Sequence, residues 1–352
     1  MTPSAAPPET VPPPMARGIA RIALVAFSSL GDGLLYLMMA HNLALNGYRV
    51  TYFGSLAYQL RGWLPDLDIQ PHPPLDALDQ ALSGYDLVLM SPPQPLRDAL
   101  TAERLADLKS KWQLICLRAP QDWQHDLRAT LSARCTPAAY AEIAPLLGGS
   151  GAIRYRKFDG ESVVDICLDF MRNKMGLTRT QRQVPILPPA EHAFRRHPRR
   201  IVLSPDSANA EKKDWSPEGF LRLAHTLEQH GYTPVFVVAP ARHQDWQAKI
   251  GGRYSLPRFD DIGELAAFIY ESGALIANDS GNGHLASFLG VPVVTIYRKN
   301  NPRFHWRPDW GPGRVVGPWL TLHWRGKAHW RPFVRTGTIL AALEALTCPT
   351  KN

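Results

Sequence analysis

Residues 274–297, ALIANDSGNGHLASFLGVPVVTIY, constrain the fold more than any other stretch of this chain. A short apolar run (274–277) leads into Asn278, Asp279, Ser280, Gly281, Asn282 and Gly283, all residues suited to turns. His284, Leu285, Ala286, Phe288 and Leu289 then fall at helical spacing, Gly290 supplies a stop, and 293–296 is β-branched and mostly apolar. Strand, tight polar turn, helix and second strand in that order predict one unit of a parallel α/β sheet. The turn then lies at the carboxyl edge of the sheet. Backbone N–H groups and the positive end of a helix dipole make that place favourable for a phosphate or pyrophosphate.

A chain of 352 residues exceeds what one hydrophobic core normally serves, so two domains are expected. At 45% hydrophobic and 20% charged residues it has the composition of a soluble globular protein. The net charge of +8 and pI near 9.4 favour an anionic partner: a sugar nucleotide, an acidic membrane surface or nucleic acid. Cys116, Cys135, Cys167 and Cys348 are scattered without C-x-x-C spacing, which fits free thiols in a reducing cytosol better than zinc or disulfides. Residues 22–45 are apolar enough to raise a membrane span or signal peptide. Ser28, Ser29, Asp32, His41 and Asn42 interrupt them, so a buried strand and a helix are predicted instead.

Taken in order, the proline-rich residues 1–16 predict a disordered leader, with Met15 as an alternative start. Strands are expected at 21–27, 49–53, 87–90 and 113–117, a turn at 28–33, and helices at 34–46 and 101–109. Residues 133–181 read as mostly helical and close a first domain, 17–183. Residues 184–199, with four prolines and three arginines, have the composition of a linker. A second alternation occupies 200–332: strand 200–204, polar turn 205–216, helix 217–230, strand 234–239 and helices 245–250 and 262–272. A last helix, 336–346, lies within a tail, 333–352, expected to pack back on the first domain. The fold class is therefore α/β, two Rossmann-like doubly wound parallel-sheet domains facing a central cleft.

Two glycine patterns invite a dinucleotide reading: Gly31-Asp-Gly33, and Gly281-Asn-Gly283-His-Leu-Ala286. A nicotinamide site needs an acidic residue about 20 positions on, and neither Thr51-Tyr52-Phe53 nor Arg298-Lys299-Asn300 supplies one. NAD is disfavoured, and NADP through Arg298 is the weaker remnant of that reading.

Three segments in order carry a resemblance. They are Ser28-Ser29-Leu30-Gly31-Asp32, then Lys213-Asp214-Trp215-Ser216-Pro217, then Asn278-Asp279-Ser280-Gly281 with His284-Leu285-Ala286 and Leu289-Gly290-Val291-Pro292. Across roughly 20–345 the chain resembles glycosyltransferase family 9, the ADP-heptose:lipopolysaccharide heptosyltransferases of GT-B fold. It departs from the family in having Ser280 for the usual threonine, Gly283 before the histidine, and Arg298-Lys299-Asn300-Asn301 for the usual glycine-proline-threonine/serine segment.

The resemblance implies an inverting, metal-independent sugar transfer with no cofactor beyond the nucleotide-sugar donor, ADP-heptose. Asp32 matches the family's catalytic base; from the residues alone it serves equally well as an N-cap or first-turn acid. Lys213 matches the donor-phosphate lysine, with Lys212 beside it as the ready confusion. The turn Ser280, Gly281, Asn282, Gly283 and His284 holds the leaving diphosphate, with His284 either donating to phosphate or packing as a buried helix histidine. Asp279 shapes that turn through bonds to following amides. Ser204, Asp206 and Ser207 follow a strand at the donor edge, Ser29, Gly31 and Gly33 lie on the acceptor side, and Trp215 packs. Another nucleotide sugar, suggested by Arg298-Lys299, and a non-catalytic nucleotide-binding module are the alternatives.

Arg195, Arg196, Arg199 and Arg200, and the segment Trp324-Arg325-Gly326-Lys327-Ala328-His329-Trp330-Arg331, have two readings. They meet a lipopolysaccharide core acceptor and the anionic inner leaflet, or they are solvated faces. Nucleic acid ranks last, because no nucleic-acid module is recognisable. The expected location is cytoplasmic, peripheral to the inner membrane.

Overall fold

The computed structural model describes residues 18–116, 123–149, 151–152, 161–299 and 307–347. The expectations for the leader, Cys348, Asn300 and Asn301 lie outside these residues. The front half is a parallel sheet of β1 (Arg21–Val25), β2 (Arg49–Phe53), β3 (Asp68–Gln70), β4 (Leu87–Met90), β5 (Gln113–Cys116) and β6 (Gly151–Ala152), in the order β3-β2-β1-β4-β5-β6. The rear half is a parallel sheet of β7 (His197–Ser204), β8 (Thr233–Phe236), β9 (Ser272–Asn278), β10 (Val293–Ile296) and β11 (Gly313–Val316), in the order β11-β10-β9-β7-β8. Strand order reverses between β1 and β4 and between β7 and β9. Ligands of doubly wound sheets bind at the carboxyl ends of the strands flanking such a reversal.

Alternation along each strand divides the apolar residues into three layers. Ile22 and Leu24 of β1 join a central core with Val202, Leu275 and Ala277 from the rear sheet. Ala23 and Val25 face an outer front core, and Ile201, Leu203, Ala274 and Ile276 an outer rear core. Buried on both faces, such strands read as unbroken apolar runs, which is why they were visible in the sequence. β3 and β6 are too short to show a pattern, β11 is an edge strand exposed over most of its length, and β12 (Leu322–Trp324) and β13 (Lys327–His329), an antiparallel hairpin outside both sheets, are largely exposed; none of the five was foreseen.

The helix Leu30–Leu45 occupies the middle of the central core, with Leu34 through Ala40 and Leu43 all buried. Its all-round hydrophobicity reflects burial between the front sheet and the rear half, and no helix among the described residues is long and apolar enough to cross a membrane. Its polar positions are tied to the chain that leads to the rear half. Asn42 donates to the carbonyls of Met38 (2.8 Å) and Gln181 (2.9 Å) and accepts the Gln181 N–H at 2.6 Å.

The segment expected to be a linker, 184–199, is pinned along its length: the Leu187 N–H donates to the Trp63 carbonyl at 2.8 Å and the Arg195 N–H to the Tyr270 carbonyl at 2.9 Å. Just before it, Arg182 donates to the Asp309 carbonyl at 2.7 Å and pairs with Asp309 and Asp165, and Gln183 Nε2 donates to the Trp310 carbonyl at 3.1 Å. The last residues of the segment, from His197, belong to β7, which begins before the predicted Arg200. Arg200 is no surface charge: its guanidinium lies 4.0 Å from the Phe268 ring centre and donates to Ser272 Oγ at 2.8 Å. Arg196 pairs with Glu271 at 3.1 Å. The final helix, Thr336–Thr347, also corrects the sequence reading. It buries Ile339, Leu340 and Leu343 in the outer rear core, against β10, β11 and the helix Pro217–Gln229, not against the front half.

Replacing the fully buried Asn42 by Leu removes its bonds to the Met38 carbonyl and to the backbone of Gln181. Urea denaturation should show a loss of about 1–3 kcal/mol, the net contribution of these bonds together; an unchanged midpoint would show that they contribute nothing.

Candidate active site

The helix Leu30–Leu45 begins four residues earlier than its sequence suggested, so Gly31, Asp32 and Gly33 form its first turn rather than a loop. The cause is Ser29, the N-cap, whose Oγ accepts the Asp32 N–H at 3.3 Å. The same hydroxyl donates to Asp32 Oδ2 at 2.5 Å. Capping thus falls to Ser29, while Asp32 is the acidic residue of the first turn, half-buried at the carboxyl edge of β1.

The rear helix Gly281–Phe288 starts in the same way at the carboxyl edge of β9, with one difference. Ser280 occupies the N-cap with extended backbone but makes no capping bond, and its hydroxyl is buried without a hydrogen-bond partner. Beside it Lys213 Nζ meets Asp279 Oδ2 at 2.8 Å. Lys212 is exposed, which separates the two lysines that sequence could not. The recorded partner of Asp279 is this ammonium, a correction to the expectation that it bonds following amides.

The two helix starts touch each other. A Cβ on Gly31 would lie 3.1 Å from His284 Cδ2, and a Cβ on Gly281 would lie 3.1 Å from Leu30 Cβ. Gly283 has more room, with its nearest neighbours at 3.7 Å. Glycine at 31 and 281 therefore lets the N-termini of two helices from different halves meet at contact distance. Gly33 serves the front half: its carbonyl accepts the Tyr52 hydroxyl at 3.1 Å.

His284 is 6% exposed, its ring set against Gly31 and edge-on to Trp310 at 6.0 Å. Burial pushes its pKa from 6.5 down to about 4, with Asp279 opposing and Lys213 assisting, so the imidazole is neutral. Nδ1 and the indole Nε1 of Trp310 are both buried without partners. Its contacts are those of a packed ring, and the neutral imidazole brings no positive charge to the turn.

Buried polar bonds fix the surrounding loop. Asn282 Nδ2 donates to Ser204 Oγ at 3.0 Å, joining the turn to the end of β7. Ser207 is turned inward, donating to Asp214 Oδ1 at 2.5 Å, and Asp206 accepts the Ala239 N–H at 2.7 Å. Burial raises the pKa of both Asp206 and Asp214. Trp215 is buried and packs against Phe220 as foreseen.

Two positioning residues escaped the sequence reading. Asn278, fully buried, accepts the Trp215 N–H at 3.1 Å and donates to the Pro205 carbonyl at 2.6 Å, clamping loop 205–215 to β9. An asparagine closing an otherwise apolar strand was the available signal. Arg331 donates to the Asp214 carbonyl at 2.6 Å and to those of Ala210 and Glu211, holding the turn that carries Lys213. Read as part of a basic surface cluster, Arg331 instead points inward, and the adjacent Trp330 is buried in the outer rear core. Among the described residues no group of three or more His, Cys, Asp or Glu is placed to hold a metal ion.

A glycosyltransferase family 9 (heptosyltransferase) model matches residues 159–312, which include Lys213 and the 278–284 turn. Over that stretch, which is less than half of its length, the chain is similar to this family. Over 116 residues it is 28% identical to the lipopolysaccharide core heptosyltransferase OpsX of Haemophilus influenzae, a match over 30% of this chain and 31% of that relative, so the shared stretch spans about a third of the relative. Among solved structures, a family 9 glycosyl transferase from Veillonella parvula superposes with TM-score 0.63 at 19% identity over 95% of this chain and 98% of its own. Escherichia coli heptosyltransferase WaaC with ADP gives TM-score 0.57 at 13% identity, over 92% and 99%. At such identities the superpositions establish the fold, which is GT-B.

A histidine buried neutral stabilises the fold least where it must charge. Above pH 6.5 His284 costs nothing; as pH falls from 6.5 towards about 4 the unfolded chain takes up a proton that the folded one refuses. Stability should decline there by up to about 1.4 kcal/mol per pH unit from this residue. In urea titrations His284→Gln should flatten the decline; parallel curves for the two proteins would refute the buried neutral state.

Proposed function

We propose that this protein is an inverting, metal-independent glycosyltransferase that moves heptose from ADP-heptose to a lipopolysaccharide core acceptor on the cytoplasmic side of the inner membrane. The observation that carries the reading is the meeting of two helix N-termini, one bearing Asp32 and the other bearing an unpartnered Ser280 beside Lys213. The family match and the names of the relatives supply the substrate class.

In this reading the acceptor hydroxyl attacks the anomeric carbon while Asp32 takes its proton, held in place by the Ser29 hydroxyl. The bond from that carbon to the β-phosphate oxygen breaks, and ADP leaves with the electron pair. Lys213 and the amides of the 280–284 turn take up the charge that develops on the diphosphate. On binding, Lys213 exchanges part of its pairing with Asp279 for phosphate, while Asn278 and Arg331 keep its loop in register. Seating the donor between the two halves excludes water and protects it from hydrolysis.

Arg298 and Lys299 follow β10 on the same sheet edge and favour a second reading within the same chemistry, a donor other than ADP-heptose. Thermal shift separates the two. ADP should stabilise the protein above UDP, GDP and CMP, and Lys213→Ala should weaken ADP binding about ten- to a hundredfold while Lys212→Ala leaves it unchanged. Preference for another nucleotide would overturn the heptose assignment.

Asp32→Asn keeps size and hydrogen bonding but removes the base. Turnover with ADP-heptose and truncated core acceptors should fall about 10²–10⁴-fold with ADP binding retained. Unchanged turnover would remove Asp32 from the reaction, and ADP binding without any turnover in the unaltered protein would favour a non-catalytic binding module.

A further inference from the structure

The hairpin β12–β13 belongs to neither sheet, and it stands out as the most exposed apolar surface of the rear half. Trp324 is 63% exposed, Trp319 59% and Leu322 49%. Leu322 and Trp324 are two apart on one strand and therefore share a face, where Lys327 sits in register opposite Trp324. Each tryptophan carries a guanidinium: Arg325 lies 4.6 Å from the Trp324 ring centre and Arg335 4.9 Å from that of Trp319.

The charged side chains of this segment are all cationic. Between Asp309 and Glu344 the sequence contains no Asp or Glu. At the tip Arg325 (φ 48°) and Gly326 (φ 72°) both adopt left-handed backbone, the two-residue turn that asparagine or glycine normally fills. An arginine there costs local stability and places a cation at the outermost point of the loop. The base is firm: Trp330 is buried, Trp319 N–H donates to the Phe333 carbonyl at 3.1 Å, and Arg331 is bonded into the Lys213 turn.

We propose that this hairpin, with Trp319, docks the protein on an anionic lipid bilayer. Tryptophan and leucine side chains standing out among cations are suited to the headgroup boundary, where an indole buries its apolar body and keeps its polar edge wet. Arginine and lysine reach the anionic headgroups around it. Docking is separate from the transfer chemistry proposed above, although the Arg331 tie places the donor turn directly behind the membrane-facing surface.

The test is co-sedimentation of the full chain with phosphatidylglycerol/phosphatidylcholine vesicles and with phosphatidylcholine vesicles. Binding should require the anionic lipid, weaken with added salt and shift the tryptophan emission to the blue. Arg325→Glu/Lys327→Glu should lower partitioning at least tenfold, and Leu322→Ser/Trp324→Ser should abolish the emission shift. Both variants should keep the thermal shift given by ADP to the unaltered protein, or, if ADP gives none, its melting temperature, which certifies folding whether or not the transferase reading holds. Failure of the unaltered protein to bind anionic vesicles, undiminished binding by the variants, or capture of a single-stranded oligonucleotide in preference to vesicles would each overturn the proposal.

Discussion

The structure depends on the contact between two helix N-termini from opposite halves of the chain. Each brings a positive dipole end to the same place, so their approach is unfavourable until negative charge is supplied. One carboxylate accompanies each: Asp32 in the first turn of the front helix and Asp279 immediately before the rear one. The rear carboxylate is shared with Lys213, and the imidazole between the helices is kept neutral by burial. The balance leaves the Ser280 hydroxyl buried without a hydrogen-bond partner at the start of the rear helix, the place where the proposed function sets the diphosphate of the donor.

Close approach has a steric requirement as well as an electrostatic one. Gly31 and Gly281 face a ring and a leucine with no room to spare, whereas Gly283, a few residues on, has ordinary clearance. The same glycines that suggest a nucleotide loop in the sequence therefore do a second job, allowing one hydrophobic core to run through both halves. Leu34 and Leu285 share it, as do Ile22 and Val202. The two sheets are layers around a common interior rather than two separate bodies joined by a flexible tether, and the pinned segment around Arg182 fits that arrangement.

The many cations sort into two populations that composition cannot distinguish. Arg182, Arg200 and Arg331 spend their hydrogen bonds on internal carbonyls and carboxylates, where a planar guanidinium satisfies several acceptors at once. Arg325 and Lys327 remain outside, next to exposed tryptophan and leucine. Arg331 and Arg325 belong to one basic run, yet one holds the turn that carries Lys213 and the other stands at the tip of the hairpin.

What the sequence determined by itself was the alternation of buried strands and helices and the polar turns at their carboxyl ends. Burial on both sheet faces writes an apolar run into the chain, and a turn at φ or hydrogen-bonding extremes demands glycine, serine or asparagine. The 278–283 turn was legible for that reason, whereas Asp32 and Lys213 were singled out by the resemblance of their segments to a known family. The tertiary structure alone decided which lysine meets Asp279, that Ser29 rather than Asp32 caps its helix, that Ser207 turns inward, and that the last helix packs on the rear sheet. The lysine pairing and the packing of the last helix depend on segments far apart in the chain, which leave no local periodicity to read, whereas the Ser29 cap and the Ser207–Asp214 bond, three and seven residues apart, are choices among neighbouring polar groups that the pattern does not rank.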